Sequence, residues 1–326
     1  MRAISLFAGA GGDTLGMKMC GVDVVAYSEV NKDAIQTHDA NNKKCDFLGD
    51  VTLINEHRLA PYINNIDILF AGFPCQGFSN AGKKLPNDPR NDLFTHVVRI
   101  ANIIRPKVII GENVAGILTR VNADGIKFSS VIVEKFNAIG FNVEHKVYDT
   151  SFCIPQSRKR VIFVCSQNPN ITPPVADTTT IGIRNFLESV SSGGVLYSEI
   201  DIKDDKIIKS TENNGEKPHS MLVKLTNEKN ITYGKRTPVS GEIIDIDKPT
   251  KTITCSYAFC PRLFVPVQEQ DKKYLRMFTI RELARAQGFP DYYEFTGSKS
   301  SQIKQIGNAV PPLFAKFIVS EILKQI

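Results

Sequence analysis

A doubly wound, mostly parallel α/β sheet, with a smaller mixed module inserted before a closing helix, is the architecture this 326-residue sequence predicts. Three observations lead there. Short apolar runs alternate with helical patterns through the first 165 residues, as strands and their crossover helices do. After Cys165 the chain turns polar, rich in Thr, Ser and Lys, and weakly periodic from about residue 172 to 278. From Thr279 helical signals return and end in an apolar stretch over 312–326.

The predicted strands span 4–7, 22–27, 66–71, 108–110, 141–147 and 161–164, with a shorter one at 46–48. Amphipathic segments at 33–40, 93–104 and 130–139 lie between several of them and predict helices. Pro169, Pro173 and Pro174 mark a loop where the pattern stops. Residues 246–264 lean towards β structure and are basic, and 281–287 read as a helix closed by Gly288-Phe289-Pro290. The division expected is an α/β domain over 1–171, an inserted domain over 172–295, and a segment over 296–326 that returns to the first domain.

Composition narrows the class. With 42% hydrophobic and 23% charged residues, wholesale disorder and fibrous repeats are excluded. No window approaches the roughly 18 uninterrupted apolar residues of a membrane span. A net charge of +6 permits nucleic acid as a partner without requiring it. Seven cysteines (20, 45, 75, 153, 165, 255 and 260) form no CxxC pair and no zinc spacing, which reads as reduced thiols in a cytoplasmic compartment without a metal. The apolar start runs straight into Gly11-Gly12-Asp13, so it is not read as a signal peptide.

The first predicted strand ends in Phe7-Ala8-Gly9-Ala10-Gly11-Gly12. Such a turn admits a ligand close to the backbone, although it also serves purely structural ends. The dinucleotide fingerprint GxGxxG fails because Thr14 stands where its third glycine belongs. Glu29 ends the second strand and suits a ribose hydroxyl pair; Asp50 closes the third and reads equally as a turn residue. A glycine turn with two acidic strand ends and no phosphate lysine favours a nucleoside cofactor without a pyrophosphate, and S-adenosylmethionine fits. Cys75 follows another core strand in Gly72-Phe73-Pro74-Cys75-Gln76, where α/β proteins place their sites. A thiol there is a candidate nucleophile, and Glu112, at the end of the next strand, lies on the same rim. Gly77-Phe78-Ser79-Asn80-Ala81 lacks the last glycine of a hydrolase elbow, and Pro74-Cys75 lacks the second cysteine of a zinc deaminase.

Six motifs in one order carry a resemblance: Phe7-x-Gly9-x-Gly11-Gly12; Gly72-Phe73-Pro74-Cys75-Gln76; Glu112-Asn113-Val114; Gln156-Ser157-Arg158-Lys159-Arg160; Arg281-Glu282 through Gln287-Gly288-Phe289-Pro290; and Gln305-Ile306-Gly307-Asn308-Ala309-Val310-Pro311. With them the chain resembles the DNA cytosine-5 methyltransferases of the compact restriction–modification kind. The resemblance implies a sheet of the S-adenosylmethionine-dependent methyltransferase type, with Cys75 adding to carbon 6 of cytosine. It implies Glu112 at the ring nitrogen, Arg160 at the carbonyl oxygen and Arg158 supporting the same pocket. Phe7 is expected against the adenosine, Gly9, Gly11 and Gly12 near the methionine end, Glu29 on the ribose and Asp50 near the adenine. Val51, Pro74, Leu93, Asn308 and Val310 complete the pocket. Val30 departs from relatives that have an aromatic residue there, which removes a stacking contact.

The same resemblance implies base flipping under a lid over 76–90, carrying Ser79, Lys83, Lys84 and Arg90 against the DNA. Thr254 matches a threonine near the flipped nucleotide, while Lys235, Arg236 and Arg262 read equally as DNA contacts or solvated charges. Double-stranded DNA is the expected partner of a monomer in a prokaryotic or viral cytoplasm or nucleoid, with any cognate restriction endonuclease acting separately. The tRNA-modifying homologues share the chemistry, but their Cys-Phe-Thr marker is replaced here by Phe259-Cys260-Pro261. A catalytically inactive DNA-binding relative would be expected to show broken motifs.

Overall fold

The computed structural model describes residues 1–74, 93–121, 125–188, 195–196, 205, 207–210, 222–225, 230–233, 240–259, 261–269 and 271–326. Its larger sheet joins β1 (Arg2–Leu6), β2 (Asp23–Ser28), β3 (Asp46–Phe47), β4 (Ile68–Ala71), β5 (Val108–Val114), β6 (Asn142–Asp149) and β8 (Lys159–Ser166) in the order β3-β2-β1-β4-β5-β8-β6. The strands carry β-branched runs such as Val108-Ile109-Ile110 and Val161-Ile162, suited to burial on both faces. Side chains alternate between two cores. Leu6, Leu69, Ile109 and Phe163 enter one, while Ala3, Phe70, Ile110 and Ile162 enter the other.

Helices cover each face. On the first lies α4 (Leu93–Ile104), whose Phe94, Val97, Val98, Ala101 and Ile104 form one buried stripe, together with α5 (Phe128–Asn137). On the second, α1 (Gly12–Lys18) meets α8 (Pro312–Leu323) through Met17, Phe314 and Ile318. The helices cross closely because Gly16 has no side chain: a Cβ there would stand 2.5 Å from Pro312 O and 2.6 Å from Ala315 Cβ. The stretch Lys299–Leu323 is long and apolar enough to pass for a membrane span, yet 61% of its apolar window is inside the molecule.

One strand departs from the parallel expectation. β8 runs antiparallel to both β5 and β6. The connection from β6 is a short turn through Thr150–Phe152 and β7 (Gln156–Ser157), too short for the dozen or more residues a parallel crossover requires.

The polar stretch contains a second, mixed sheet that its weak periodicity concealed. Its strands are β9 (Val195–Leu196), β10 (Ile208–Ser210), β11 (Leu222–Leu225), β12 (Asn230–Tyr233), β13 (Ser240–Ile243), β15 (Leu263–Glu269) and β16 (Lys272–Arg276). A further pair, β14 (Thr250–Lys251), runs parallel to β7 and ties this region to the larger sheet. Apolar residues from both regions, from Leu15 through Ile253, Leu283 and Phe289 to Ile306 and Ala309, form a third core.

Helix α6 (Ile280–Ala286) begins with a capping box in which Thr279 and Glu282 satisfy each other's backbone N–H groups. Glu282 also holds Arg276 through two 2.7 Å hydrogen bonds, with both residues fully buried. Removing one partner of such a pair typically costs about 3–5 kcal/mol, because the other charge stays buried alone. The remaining helices are α2 (Lys32–Asn41), α3 (Glu56–Leu59) and α7 (Lys299–Asn308).

Candidate active site

The carboxyl ends of β1, β2, β4 and β5 form one rim, on which Phe7, Gly9, Gly11, Gly12, Glu29, Pro74 and Glu112 lie. Beyond β1, Phe7 has φ 58°, in the left-handed region that non-glycine residues seldom adopt; Gly9 and Gly11 follow with φ 53° and 83°. A Cβ on Gly12 would lie 2.1 Å from Val310 O, so the absence of a side chain lets residue 310 reach the turn. Glu29, after β2, locks this turn. Its Oε2 accepts the Gly9 N–H at 2.8 Å, and its Oε1 accepts the Val30 and Asn31 N–H groups at 2.8 Å each.

Asp50 builds a turn after β3, with Oδ1 accepting Thr52 N–H and Oγ at 2.9 Å. Ser28 pins that turn by donating to Gly49 O at 2.7 Å, and Arg99 of α4 donates to Val51 O and Ile54 O at 2.9 and 2.5 Å. Val51 and Val310 are buried, Leu93 and Pro74 are half-buried, and Asn308 and Val30 are exposed.

Between β4 and β5, Ala71 pairs with Gly111, which sets Gly72 beside Glu112. A Cβ on Gly72 would lie 3.4 Å from Val310 Cγ2 and 4.0 Å from both Glu112 Oε2 and Phe7 O. Four candidate segments therefore converge within one side chain's reach. Arg160 completes the centre from β8, its Nε 2.8 Å from Glu112 Oε1, with only 10% and 11% of the two side chains exposed. Asn113 donates to Phe73 O at 3.1 Å and so fastens the exit of β4 to the end of β5. The next residue after Pro74, Cys75, lies outside the described residues, as do Ser79, Lys83, Lys84, Arg90, Lys235 and Arg236.

Arg158 is engaged differently from Arg160. It is 3% exposed, and its Nη1 and Nη2 donate to Ile253 O and Ala309 O at 3.4 and 3.3 Å. Thr254, the neighbour of Ile253, is exposed, with its hydroxyl 3.0 Å from Ser256 Oγ. Arg262 is exposed as well, at the entrance to β15. Among the described residues, no group of three His, Cys, Asp or Glu side chains is arranged to hold a metal ion.

Three polar residues escaped the sequence reading. Asp13, directly after the glycine turn, is buried and accepts a hydrogen bond from the Ser5 hydroxyl. Burial pushes its carboxyl up to about 7, with the Glu112 charge adding in the same direction. An acid in a helix's first turn ordinarily reads as a solvated cap, whereas this one is turned inward to the Ser5 hydroxyl of β1. The other two, Gln156 and Gln287, sit within the quoted motifs and are fully buried. Neither had a local signal, since Gln156 is followed by the polar run Ser157-Arg158-Lys159-Arg160 and Gln287 stands two residues after Arg285.

Comparison with known proteins identifies the family. The family described as C-5 cytosine-specific DNA methylase matches residues 1–324. The Type II methyltransferase M1.HphI of Haemophilus parahaemolyticus is 32% identical over 98% of this chain and 86% of its own length. M.Eco47II of Escherichia coli, also named a Type II methyltransferase, is 32% identical over 94% of the chain and 75% of its length. Among solved structures, the S. pombe Dnmt2 methyltransferase superimposes with a TM-score of 0.68 at 18% identity, covering 100% of this chain and 99% of that one. The Entamoeba histolytica methyltransferase EhMeth gives 0.68 at 19% identity, covering 100% and 98%. With the match running from the glycine turn through the last helix, the chain belongs to the C-5 cytosine-specific DNA methylase family and is a DNA cytosine-5 methyltransferase.

Proposed function

We propose that the protein transfers a methyl group from S-adenosylmethionine to carbon 5 of a cytosine turned out of a short, specific duplex sequence, as the modification arm of a restriction–modification system. The observation that carries this reading is the Glu112–Arg160 pair, 2.8 Å apart and nearly enclosed, on the rim beside the Phe7–Glu29 turn. The turn fits the cofactor. A Cβ on Gly9 would meet nothing within 4 Å, the Glu29 carboxylate is fixed by three N–H donors, and apolar Val310 closes one side. When bound, S-adenosylmethionine supplies a methyl group as an electrophile.

The chain's own residues prepare the base. Carbon 5 of cytosine is a weak nucleophile until addition at carbon 6 breaks the ring's aromaticity. The Cys75 thiolate makes that addition, so one difficult step becomes two easier ones. Glu112 holds a proton or hydrogen bond at the ring nitrogen, where charge develops, and Arg160 bonds the carbonyl oxygen. Arg160 also orients Glu112. After methylation the carbon 5 proton leaves and the Cys75–carbon 6 bond breaks, which returns the thiolate.

A base inside a duplex cannot enter such a centre, and flipping it costs a few kcal/mol. Ser79, Lys83, Lys84 and Arg90 serve the extruded nucleotide and its phosphates. Thr254 faces the base pocket, while Lys235, Arg236 and Arg262 add contacts from the region 172–295. That region serves as the recognition domain between the catalytic domain over 1–171 and the returning segment over 296–326. The protein works as a cytoplasmic monomer, since one chain holds every motif.

The test is to express the protein in a host lacking cytosine methylation and sequence its DNA at base resolution. Methylation confined to one short motif is expected. An unmodified genome would overturn the DNA reading and point to tRNA.

A further inference from the structure

Two fully buried glutamines join segments far apart in the chain. Gln156 Oε1 accepts the Ile253 N–H at 2.9 Å, and its Nε2 donates to Gln287 Oε1 at 2.7 Å and to Ala286 O at 3.3 Å. Gln287 Nε2 donates in turn to Ala309 O at 2.7 Å. Arg158 closes a ring by donating to both Ile253 O and Ala309 O. Only one orientation of the two amides satisfies every partner. Turning Gln156 over would set its oxygen against Gln287 Oε1 and its NH2 against a backbone N–H.

The ends of this relay matter. Ile253 precedes Thr254, and Ala309 lies between Asn308 and Val310. The backbones also touch, because a Cβ on Gly307 would stand 2.6 Å from Cys255 N and 2.7 Å from Thr254 C. A displacement of the 308–310 strip therefore either moves the 253–255 strip with it or breaks buried hydrogen bonds, each costly to leave unmade. Such an arrangement gives the two strips a hydrogen-bonded connection through which energetic coupling can be carried.

We propose that Gln156 and Gln287 are positioning residues that couple cofactor binding at Asn308–Val310 to DNA binding at Thr254. The proposal rests on the site reading given above. Its measure is the ratio of duplex Kd without and with saturating S-adenosylhomocysteine, using a short duplex that carries the motif methylated in expressing cells. The wild-type ratio is expected to be roughly tenfold. Gln287→Met keeps the side chain's length but neither donates nor accepts well. It should bring the ratio to within about twofold of one while S-adenosylhomocysteine affinity alone stays within about threefold.

Gln287→Glu offers a rescue that a general packing defect would not show. Once protonated, its carboxyl can donate to Ala309 O, so the ratio should recover as pH is lowered through the carboxyl range. If Gln287→Met does not fold, Gln156→Met is measured the same way. A Met variant that keeps the wild-type ratio overturns the proposal. So does a wild-type protein that methylates DNA with a ratio of one, and in that case the functional reading stands. A wild-type protein that binds no S-adenosylhomocysteine overturns the site reading and the coupling together.

Discussion

Arg160 Nε stands 2.8 Å from Glu112 Oε1, in a pairing made by two antiparallel neighbours, β8 and β5. The arginine fixes the carboxyl group to which the proposed function gives a chemical role, and leaves Glu112 Oε2 on the side of Gly72 and Phe7.

Glu112→Gln should therefore slow single-turnover methylation by about 10²–10⁴-fold, the usual contribution of a positioned acid or base, with duplex affinity retained. Arg160→Ala should slow the reaction at least as much and also lower stability by about 3 kcal/mol, because it leaves a nearly enclosed carboxylate without its partner. Rapid-quench methylation assays and urea denaturation separate the two effects. An unchanged single-turnover rate for Glu112→Gln would remove the role assigned to it.

Cys75→Ala should abolish methylation while S-adenosylhomocysteine affinity stays within a few-fold of wild type. Duplex containing 5-fluorocytosine should trap the wild-type protein covalently in the presence of cofactor, since fluorine at carbon 5 cannot leave as the proton does. A shifted band on a denaturing gel is the readout. Its absence, or a tenth of the wild-type rate from Cys75→Ala, would rule out attack through this thiol.

Gly307→Ala tests the close contact of α7 with the Thr254 loop. Its Cβ would fall 2.6 Å from Cys255 N, backbone that must shift. Overpacking of this kind costs about 1–3 kcal/mol. The expected result is a lower Tm together with weaker duplex binding, and an unshifted Tm would show that the contact gives way freely.

Asp13 and His38 should impose opposite pH dependences on stability. Burial raises the Asp13 carboxyl from 3.8 to about 7, so the folded state keeps a proton that the unfolded chain releases. Its contribution is full below about pH 4 and falls as pH rises towards 7. His38 is stacked 3.6 Å from the Tyr27 ring, and burial lowers it from 6.5 to about 3. Its contribution is full above about pH 6.5 and falls as pH drops towards 3. Asp13→Asn, which can still accept from Ser5, should raise stability above pH 7. His38→Gln should flatten the acid side. Urea unfolding at a series of pH values checks both signs.

Much of the first 165 residues was legible because their information is local. Short continuous apolar runs such as Ile68–Ala71 marked strands of the large sheet, period-3.6 stripes such as that of α4 marked helices, and the glycine turn with Glu29 needed only sequence spacing. The second sheet was illegible for the converse reason: its strands are mostly two to five residues long, too short to display a period.

The candidate site divides along the same line. The sequence by itself determined which chemical groups are present: Cys75, Glu112, Arg160, Glu29 and the glycine turn. Only the tertiary structure decided that β8 runs antiparallel, that Arg160 meets Glu112, that Asp13 is buried against Ser5, and that Gln156 bonds Gln287 across 131 residues. Periodicity and spacing report what a residue's near neighbours require. Which distant group becomes its partner depends on how the whole chain closes, and no local pattern encodes that.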